Sequence, residues 1–189
     1  MDLVFATNNE HKLLEIKESV RNYEVKGLRE YGIDEDIPET GTTLKENARI
    51  KARFIYDKYG VDCFADDTGL EVSSLDGAPG VYSARYAGPA CDYDDNNEKL
   101  LRELNNVEDR SAQFRTVICL IIKGKEHYFE GICSGEILKA YQGENGFGYD
   151  PLFRPKGFEQ SFAQMSTTSK NEISHRGLAV QKLLQFLNK

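Results

Sequence analysis

Residues 2–12 read Asp-Leu-Val-Phe-Ala-Thr-Asn-Asn-Glu-His-Lys, an apolar run followed by a polar turn. The apolar run predicts a short buried strand, and Leu13, Ile16 and Val20 then recur at the spacing of one helix face. A strand that passes through a polar turn into a helix is typical of α/β sheets, in which ligands bind beyond the carboxyl ends of strands. The turn is therefore the first candidate for a functional site.

The rest of the chain alternates between helical and strand-like patterns, so we predict a mixed α/β fold. Thr43 and Glu46 have the spacing of a capping box, which predicts a helix start. The apolar residues 61–65 predict a strand that ends at Asp66-Asp67. Further elements are predicted as strands at 23–28 and 70–75, a β-hairpin over 113–138, and helices over 92–106 and from Lys170.

Composition and charge narrow the class of protein. The 189 residues carry a net charge of −7 and no dense cluster of Lys and Arg, which argues against a general nucleic-acid binder. No apolar run approaches the ~20 residues that cross a bilayer, and the acidic start does not resemble a signal peptide. We therefore expect no membrane partner and a cytoplasmic location. The four cysteines form no CxxC and are expected to be reduced thiols.

The stretch Thr7-Asn8-Asn9-Glu10-His11-Lys12 could bind a phosphate. Free N–H groups at a helix start attract anions, and Lys12 adds a positive charge one turn into the helix. The alternative is an asparagine N-cap followed by a solvated lysine. No GxxxxGK[ST] motif occurs in the chain, so a Walker P-loop is excluded.

Asp66 and Asp67 are candidates for metal binding or proton transfer because they directly follow an apolar run. Side chains alternate along a strand, so the two carboxylates should point in different directions. One of them could ligate Mg²⁺ or take a proton from water, whereas an Asx-turn at the strand end is the alternative. Glu39 lies in a polar loop and becomes a metal ligand only if folding brings it near Asp67.

Two later motifs could recognise a planar ligand. In Gly146-Phe147-Gly148-Tyr149-Asp150-Pro151 the glycines allow close backbone approach and the aromatic ring could stack on a base. A tight turn with a core-filling Phe is the alternative. Ser174-His175-Arg176-Gly177, together with Lys170, could donate hydrogen bonds to an acceptor-rich edge, or could simply start the last helix.

Five motifs, in the same order and at matching separations, resemble the inosine triphosphate pyrophosphatase family, also called the RdgB/HAM1 family. The resemblance extends from residue 3 to about residue 187. Each motif is weak alone, whereas the ordered set is specific. The motifs are Phe5-Ala6-Thr7-Asn8-Asn9 with Lys12, Ala65-Asp66-Asp67-Thr68-Gly69-Leu70, the ten residues from Gly77 to Tyr86, Gly146 to Pro151, and Ile173-Ser174-His175-Arg176-Gly177.

This resemblance implies an elongated ITPase-like (Maf/HAM1) α/β fold. It would have a central mixed β-sheet with flanking helices and would form a single domain, 1–189, with a cleft between two lobes. It implies a homodimer and Mg²⁺-dependent hydrolysis of ITP, XTP and their deoxy forms to the monophosphate and pyrophosphate. Asp67 would be the general base, and Glu39 and Asp67 the metal ligands. The implied substrate contacts are Thr7, Asn8, Asn9, Glu10, His11, Lys12 and Lys51 to phosphate, Thr68 to substrate, Phe147, Gly148, Tyr149 and Asp150 to base and sugar, and Lys170, His175 and Arg176 to the base.

Hydrogen-bond sense accounts for the implied choice of base. Hypoxanthine and xanthine carry a carbonyl at position 6, which can accept from Arg176 and from His175. Adenine carries an amino donor at that position and would leave the donors unpaired, so the site would reject it. Asp67 would orient or deprotonate the water that attacks in line, since this chemistry is mostly positioning and electrostatics.

One position departs from the family pattern, and two alternative functions stay open. Asn8 stands where the family's first loop usually has glycine; if the position needs a positive φ, Asn is the next most tolerant residue. The first alternative is a pyrophosphatase with another base preference, such as the related Maf-like class that acts on modified pyrimidines. The second is a nucleotide-binding sensor without catalysis. A panel of nucleotide substrates separates the three.

Overall fold

The structure is a computed structural model that describes residues 2–20, 24–35 and 37–189. No helix in these ranges is both long enough and apolar enough to cross a bilayer. The strands are β1 (Asp2–Phe5), β2 (Glu24–Gly27), β3 (Cys63–Val72), β4 (Pro79–Gly80), β5 (Ser111–Ile122), β6 (Lys125–Ile137) and β7 (Phe153–Pro155). The helices are α1 (Glu10–Ser19), α2 (Leu44–Tyr59), α3 (Tyr93–Glu103), α4 (Thr167–Ile173) and α5 (His175–Leu187).

The described strands form one mixed sheet. Its order is β2-β1-β3-β5-β6-β7, and β4 pairs with β3 outside this sequence. β1 runs parallel to β2 and to β3, whereas β4 is antiparallel to β3 and β7 is antiparallel to β6. The predicted mixed α/β class is thereby confirmed.

Local signals start the first two long helices where the sequence predicted. The Asn9 side chain accepts a hydrogen bond from the Lys12 N–H and caps α1. Thr43 and Glu46 form the predicted capping box at the start of α2, each side chain accepting from the other residue's N–H at 3.2 Å. These caps satisfy N–H groups that the first turn of a helix otherwise leaves unpaired.

The structure corrects two predicted boundaries. The strand that begins at Cys63 does not end at Asp66-Asp67 but continues to Val72 as β3, because both carboxylates have partners within the protein. The helix predicted from Lys170 onward is two helices, because Ser174 has an extended conformation (φ −73°, ψ 155°) between α4 and α5.

The chain divides into two compact units, which are described separately. Unit 1 comprises the described residues of 1–67, 116–131 and 176–189, and unit 2 comprises 68–115 and 132–175. In unit 1 the alternation of β1 sends Leu3 and Phe5 into one apolar cluster, with side chains of α1 and α5, and Val4 into another, with side chains of α2. The core of unit 2 is a separate cluster around Phe153 and Phe162.

Candidate functional site

In unit 1, the adjacent aspartates of β3 bind different partners. Asp66 accepts from Lys12 Nζ at 2.9 Å and from Arg176 Nε at 3.2 Å. Asp67 accepts from Asn47 Nδ2 at 3.1 Å, and its other oxygen lies 3.5 Å from Lys51 Nζ. This division is what the alternation of a strand predicts. Both side chains are buried, so their charges are stabilised mainly by these protein groups.

Lys51 joins two carboxylates that the sequence places 28 positions apart. Its Nζ donates to Glu39 Oε1 at 2.5 Å as well as to Asp67 Oδ1. Burial acts to lower the pKa of Lys51, but Asp67 and Glu39 outweigh it, so the pKa lies above its ordinary value. Burial acts to raise the pKa of Glu39, and Lys51 more than offsets this effect. Two ionised carboxylates thus converge on one cationic group when Asp67 is deprotonated.

The pKa values of the two aspartates shift in opposite directions. Burial raises the pKa of Asp67, and Lys51 and Lys12 offset this only in part. Burial acts in the same sense on Asp66, but Lys12 and Arg176 outweigh it, so the pKa of Asp66 lies well below its ordinary value. Asp67 is consequently the stronger proton acceptor of the two, and Asp66 stays ionised.

Arg176, a predicted base contact, lies in unit 1 and is bound by carboxylates. Its guanidinium donates to Asp66 and also forms a short ion pair with Glu15. All three side chains are buried. Base recognition by Arg176 stays a prediction, and its ion pairs with Asp66 and Glu15 belong to an internal charge network.

Two residues of this charge network, Glu15 and Asn47, are not predicted from the sequence. Each lies on a helix within one turn of a predicted lysine: Glu15 three residues after Lys12 on α1, and Asn47 four residues before Lys51 on α2. Residues at these separations share a helix face, so the spacing was a usable signal.

The predicted phosphate turn contains a structural cap. Thr7 Oγ1 accepts a hydrogen bond from the Asn9 N–H at 3.1 Å, so two residues of the turn bind each other. Asn9 also caps α1. Asn8 Nδ2 donates to the Glu35 carbonyl at 3.2 Å. The described non-glycine residues with positive φ do not include Asn8, so this position needs no glycine for its backbone. Lys12 differs from the solvated lysine of the alternative, because Asp66 binds it.

The remaining residues of this stretch lie at the surface. Glu10 and His11 are exposed in the first turn of α1, and Glu10 faces Arg29 at 3.5 Å. Thr68 follows Asp67 on β3, is half-buried and belongs to unit 2. Phosphate contacts of the first two and substrate contact of Thr68 stay predictions.

In unit 2, a buried ion pair lies beside an aromatic ring. Lys170 Nζ donates to Asp150 Oδ2 at 2.6 Å, and the same oxygen accepts the Phe147 N–H at 2.9 Å. Lys170 Nζ also lies 5.1 Å from the centroid of the Phe147 ring. Three predicted substrate residues are therefore brought together, as a donor-only ammonium and a carboxylate next to a half-buried ring.

The other predicted residues of unit 2 are held firmly in place. Tyr149 donates its hydroxyl to the Ser83 carbonyl at 2.8 Å, and Gly148 has a φ of +63°. The imidazole of His175 is buried and stacks on Phe114, with centroids 4.5 Å apart and planes within 14°. A ring in this position has an apolar neighbour on one face, which fixes its orientation.

The Ham1 family profile matches residues 3–186. The chain belongs to the Ham1 family. Two relatives, both named dITP/XTP pyrophosphatase, come from Christiangramia forsetii and Flavobacterium psychrophilum. The first is 55% identical over 190 residues, covering 100% of both chains. The second is 52% identical over 187 residues, covering 98% of both chains.

Solved structures of Ham1 proteins confirm the predicted fold. The Ham1 protein of Staphylococcus aureus has a TM-score of 0.90 and 42% identity, covering 100% of this chain and 98% of that chain. A HAM1 protein from Coxiella burnetii also has a TM-score of 0.90, with 38% identity over the same shares. These matches extend over the whole of the chain, so the Ham1 assignment does not depend on the individual motifs.

Proposed function

We propose that this chain hydrolyses deaminated purine nucleoside triphosphates (ITP, XTP and their deoxy forms) to the nucleoside monophosphate and pyrophosphate. The observation that carries the proposal is the 55% identity, over the full length of both chains, to a relative named dITP/XTP pyrophosphatase. The geometry within each unit also supports it: unit 1 contains groups suited to a triphosphate, and unit 2 contains groups suited to a purine ring.

The charge network of unit 1 suits a triphosphate and a water nucleophile. Lys12 and Lys51 supply positive charge, and the raised pKa of the Asp67 carboxyl favours its taking a proton from water. Asn47 and Lys51 hold the two oxygens of Asp67 from separate directions, which keeps the carboxylate in one orientation. Asp66 does not act as the proton acceptor in this proposal. It positions the side chains of Lys12 and Arg176.

Glu39 and Asp67 fit a magnesium ion shared with the substrate. Both carboxylates face a single cationic group, Lys51 Nζ, and Mg²⁺ is usually held by one or two carboxylates together with phosphate oxygens and water. Among the described residues, no three His, Cys, Asp or Glu side chains come together as a metal site. Phosphate oxygens and water would complete the ligand shell of the ion. When bound, Mg²⁺ supplies charge neutralisation and polarisation of phosphoryl oxygens.

The charge balance of the network also favours a divalent cation. Three cationic side chains (Lys12, Lys51 and Arg176) face four carboxylates (Glu15, Glu39, Asp66 and Asp67), a net charge of −1 when all are ionised. A polyanionic substrate is repelled by such a site unless a cation accompanies it.

Lys170 and Phe147 support recognition of the purine. The ammonium group only donates hydrogen bonds, so the carbonyl oxygens of hypoxanthine or xanthine suit it better than the amino group of adenine. Phe147 offers a flat apolar surface beside the same ammonium. Together with Gly148, Tyr149, Asp150 and His175, these residues form the proposed base contacts.

The decisive experiment is pyrophosphate release from a panel of ITP, XTP, dITP, ATP, GTP and modified pyrimidine triphosphates, with and without Mg²⁺. We expect release from ITP and XTP at least ~10²-fold faster than from ATP, as a donor-lined site discriminates strongly by hydrogen-bond sense. We also expect loss of activity on chelation and its return with added Mg²⁺. Preferential hydrolysis of a pyrimidine, or nucleotide binding without release, would contradict the proposal. A homodimer and a cytoplasmic location stay predictions; light scattering tests the first.

A further inference from the structure

Helix α3 carries two adjacent asparagines, Asn96 and Asn97, whose side chains are almost completely buried. Asparagine is unfavourable inside a helix because its amide competes for hydrogen bonds. Asn96 is satisfied at both ends: its Nδ2 donates to the Ala84 carbonyl at 3.0 Å, and its Oδ1 accepts the Ala87 N–H at 2.6 Å. Asn96 thereby ties one turn of unit 2 to the helix.

Asn97 binds a different segment of unit 2. Its Nδ2 donates to the Gly148 carbonyl at 2.9 Å. Its Oδ1 is buried and accepts no hydrogen bond from any residue that the structure describes. A buried amide with one polar atom lacking a protein partner is less favourable than a leucine of similar size. Stability alone therefore does not account for an asparagine here, and the hydrogen bond to Gly148 is its specific contribution.

The carbonyl that Asn97 holds lies in the middle of the proposed base-binding segment, Phe147–Asp150. Gly148 has a left-handed φ of +63°, a region in which glycine moves freely, so the peptide needs an external restraint. Asp150 restrains one end through the Phe147 N–H, and Lys170 holds Asp150 in turn. Asn97 supplies the restraint at the centre.

The same face of α3 also supports the ring of Phe147. Tyr93 lies one turn before Asn97, and its ring centroid is 6.1 Å from that of Phe147 at a tilt of 44°. Residues four apart share a helix face, so α3 contacts both the ring and the peptide that follows it. We propose that Asn97 is a positioning residue that fixes the orientation of Phe147 and so sets the affinity for the purine ring. This inference rests on the proposed function.

The test compares Asn97→Leu with the matched control Asn96→Ala. Both remove a buried amide from adjacent positions of α3, but only the first releases Gly148. For Asn97→Leu we expect KM for ITP to rise about tenfold, the equivalent of roughly one hydrogen bond, with kcat changed less than about threefold. KM is the parameter affected because the segment is proposed to contact the base and not the reacting phosphates. For Asn96→Ala we expect a KM for ITP within about twofold of the KM of the unsubstituted protein, even if the variant is thermally less stable.

Asn97→Asp provides a second readout that a purely structural role would not move. An ionised carboxylate repels the Gly148 carbonyl, whereas a protonated one can donate to it. Burial brings the pKa of such a group toward neutrality, so its kcat/KM relative to that of the unchanged chain should rise as pH falls from about 8 to about 6. The corresponding ratio for Asn97→Leu should stay flat.

Each outcome decides the question. An unchanged KM in folded Asn97→Leu, or an equal rise in Asn96→Ala, overturns the positioning role while leaving the proposed function intact. If Asn97→Leu does not fold, the pH ratio of Asn97→Asp decides alone, and a flat ratio overturns the role. If the unchanged chain releases no pyrophosphate from ITP, the proposed function fails. In that case, Kd values for ITP measured by calorimetry in the same variants replace KM. Equal Kd values for Asn97→Leu and the unsubstituted protein, or no binding of ITP, would overturn the positioning role of Asn97 as well.

Discussion

The Asp67→Asn substitution is expected to remove most of the turnover and to leave the fold intact. The amide has nearly the shape of the carboxylate, and its oxygen can still accept from Asn47 Nδ2, which lies 3.1 Å from Asp67 Oδ2. The amide cannot take a proton from water. A positioned general base contributes roughly 10²–10⁴-fold to the rate, or about 3–5 kcal/mol of transition-state stabilisation.

Stability should change little in this variant. The raised pKa of Asp67 means that its partners only partly offset the cost of burying its charge, and a neutral side chain removes that cost. Lys51 keeps a carboxylate partner, because its Nζ lies 2.5 Å from Glu39 Oε1. We expect the free energy of unfolding to stay within about 1 kcal/mol of that of the unchanged chain.

Asp66→Asn is the matched control, since it makes the same chemical change at the neighbouring position of β3. The Asp66 carboxylate is bound by Lys12 and Arg176, and its side chain is 1% exposed. Removal of one partner from a buried ion pair costs about 3–5 kcal/mol, because the other charge stays buried. This variant should therefore lose much of its stability, whereas Asp67→Asn should lose activity at nearly full stability.

The assay measures pyrophosphate release at saturating ITP and Mg²⁺, together with urea-induced unfolding of both variants. A kcat for Asp67→Asn within about threefold of the unchanged value would remove Asp67 from proton transfer, since a base contributes at least about 10²-fold. A loss of about 3 kcal/mol or more in Asp67→Asn would instead assign the carboxylate a structural role.

Other parts of the structure give three further predictions. Arg176→Met removes the cation that Glu15 and Asp66 share, so the free energy of unfolding measured in urea should fall by about 3–5 kcal/mol. The further substitution Glu15→Gln should restore part of that loss. Full stability of the single Arg176→Met variant would contradict this prediction. Thr43→Ala removes the capping box of α2 and should cost about 1 kcal/mol by the same measurement, whereas no loss would mean that water replaces the cap. A thiol reagent at about pH 8 should modify one thiol of the native chain rapidly, at exposed Cys91, and all four in urea. The slow thiols have pKa values raised by burial, to about 12 for Cys63 and about 11 for Cys119 and Cys133.

Features that depend on a few neighbouring residues could be predicted from the sequence. The Thr43–Glu46 capping box and the β-hairpin over 113–138 both have local causes. The structure contains both, since β5 and β6 are neighbours in the sheet and only Lys123-Gly124 separates them. Lys123 and Gly124 take the positive φ values, 48° and 77°, that a two-residue hairpin turn requires. The opposite orientation of Asp66 and Asp67 followed in the same way from the two-residue period of a strand.

Features that depend on distant partners could not be predicted in this way. Two adjacent acids after an apolar run indicate a strand end, because buried charges are costly without partners. Asp66 binds Lys12 and Arg176, which lie 54 and 110 positions away in the sequence. No local sequence pattern predicts these two contacts. Because these cations form ion pairs with the Asp66 carboxylate inside the protein, β3 can continue past the aspartates instead of turning toward solvent.

The Asp66-Asp67 pair shows why two identical side chains next to each other need not share a role. The pleat directs Asp66 toward two cations, which lower its pKa and keep it ionised near neutral pH, so that it orders Lys12 and Arg176. It sends Asp67 toward one amide and one ammonium, where burial keeps its pKa raised. The order of charges around β3, more than their number, therefore determines which carboxylate can accept a proton from water.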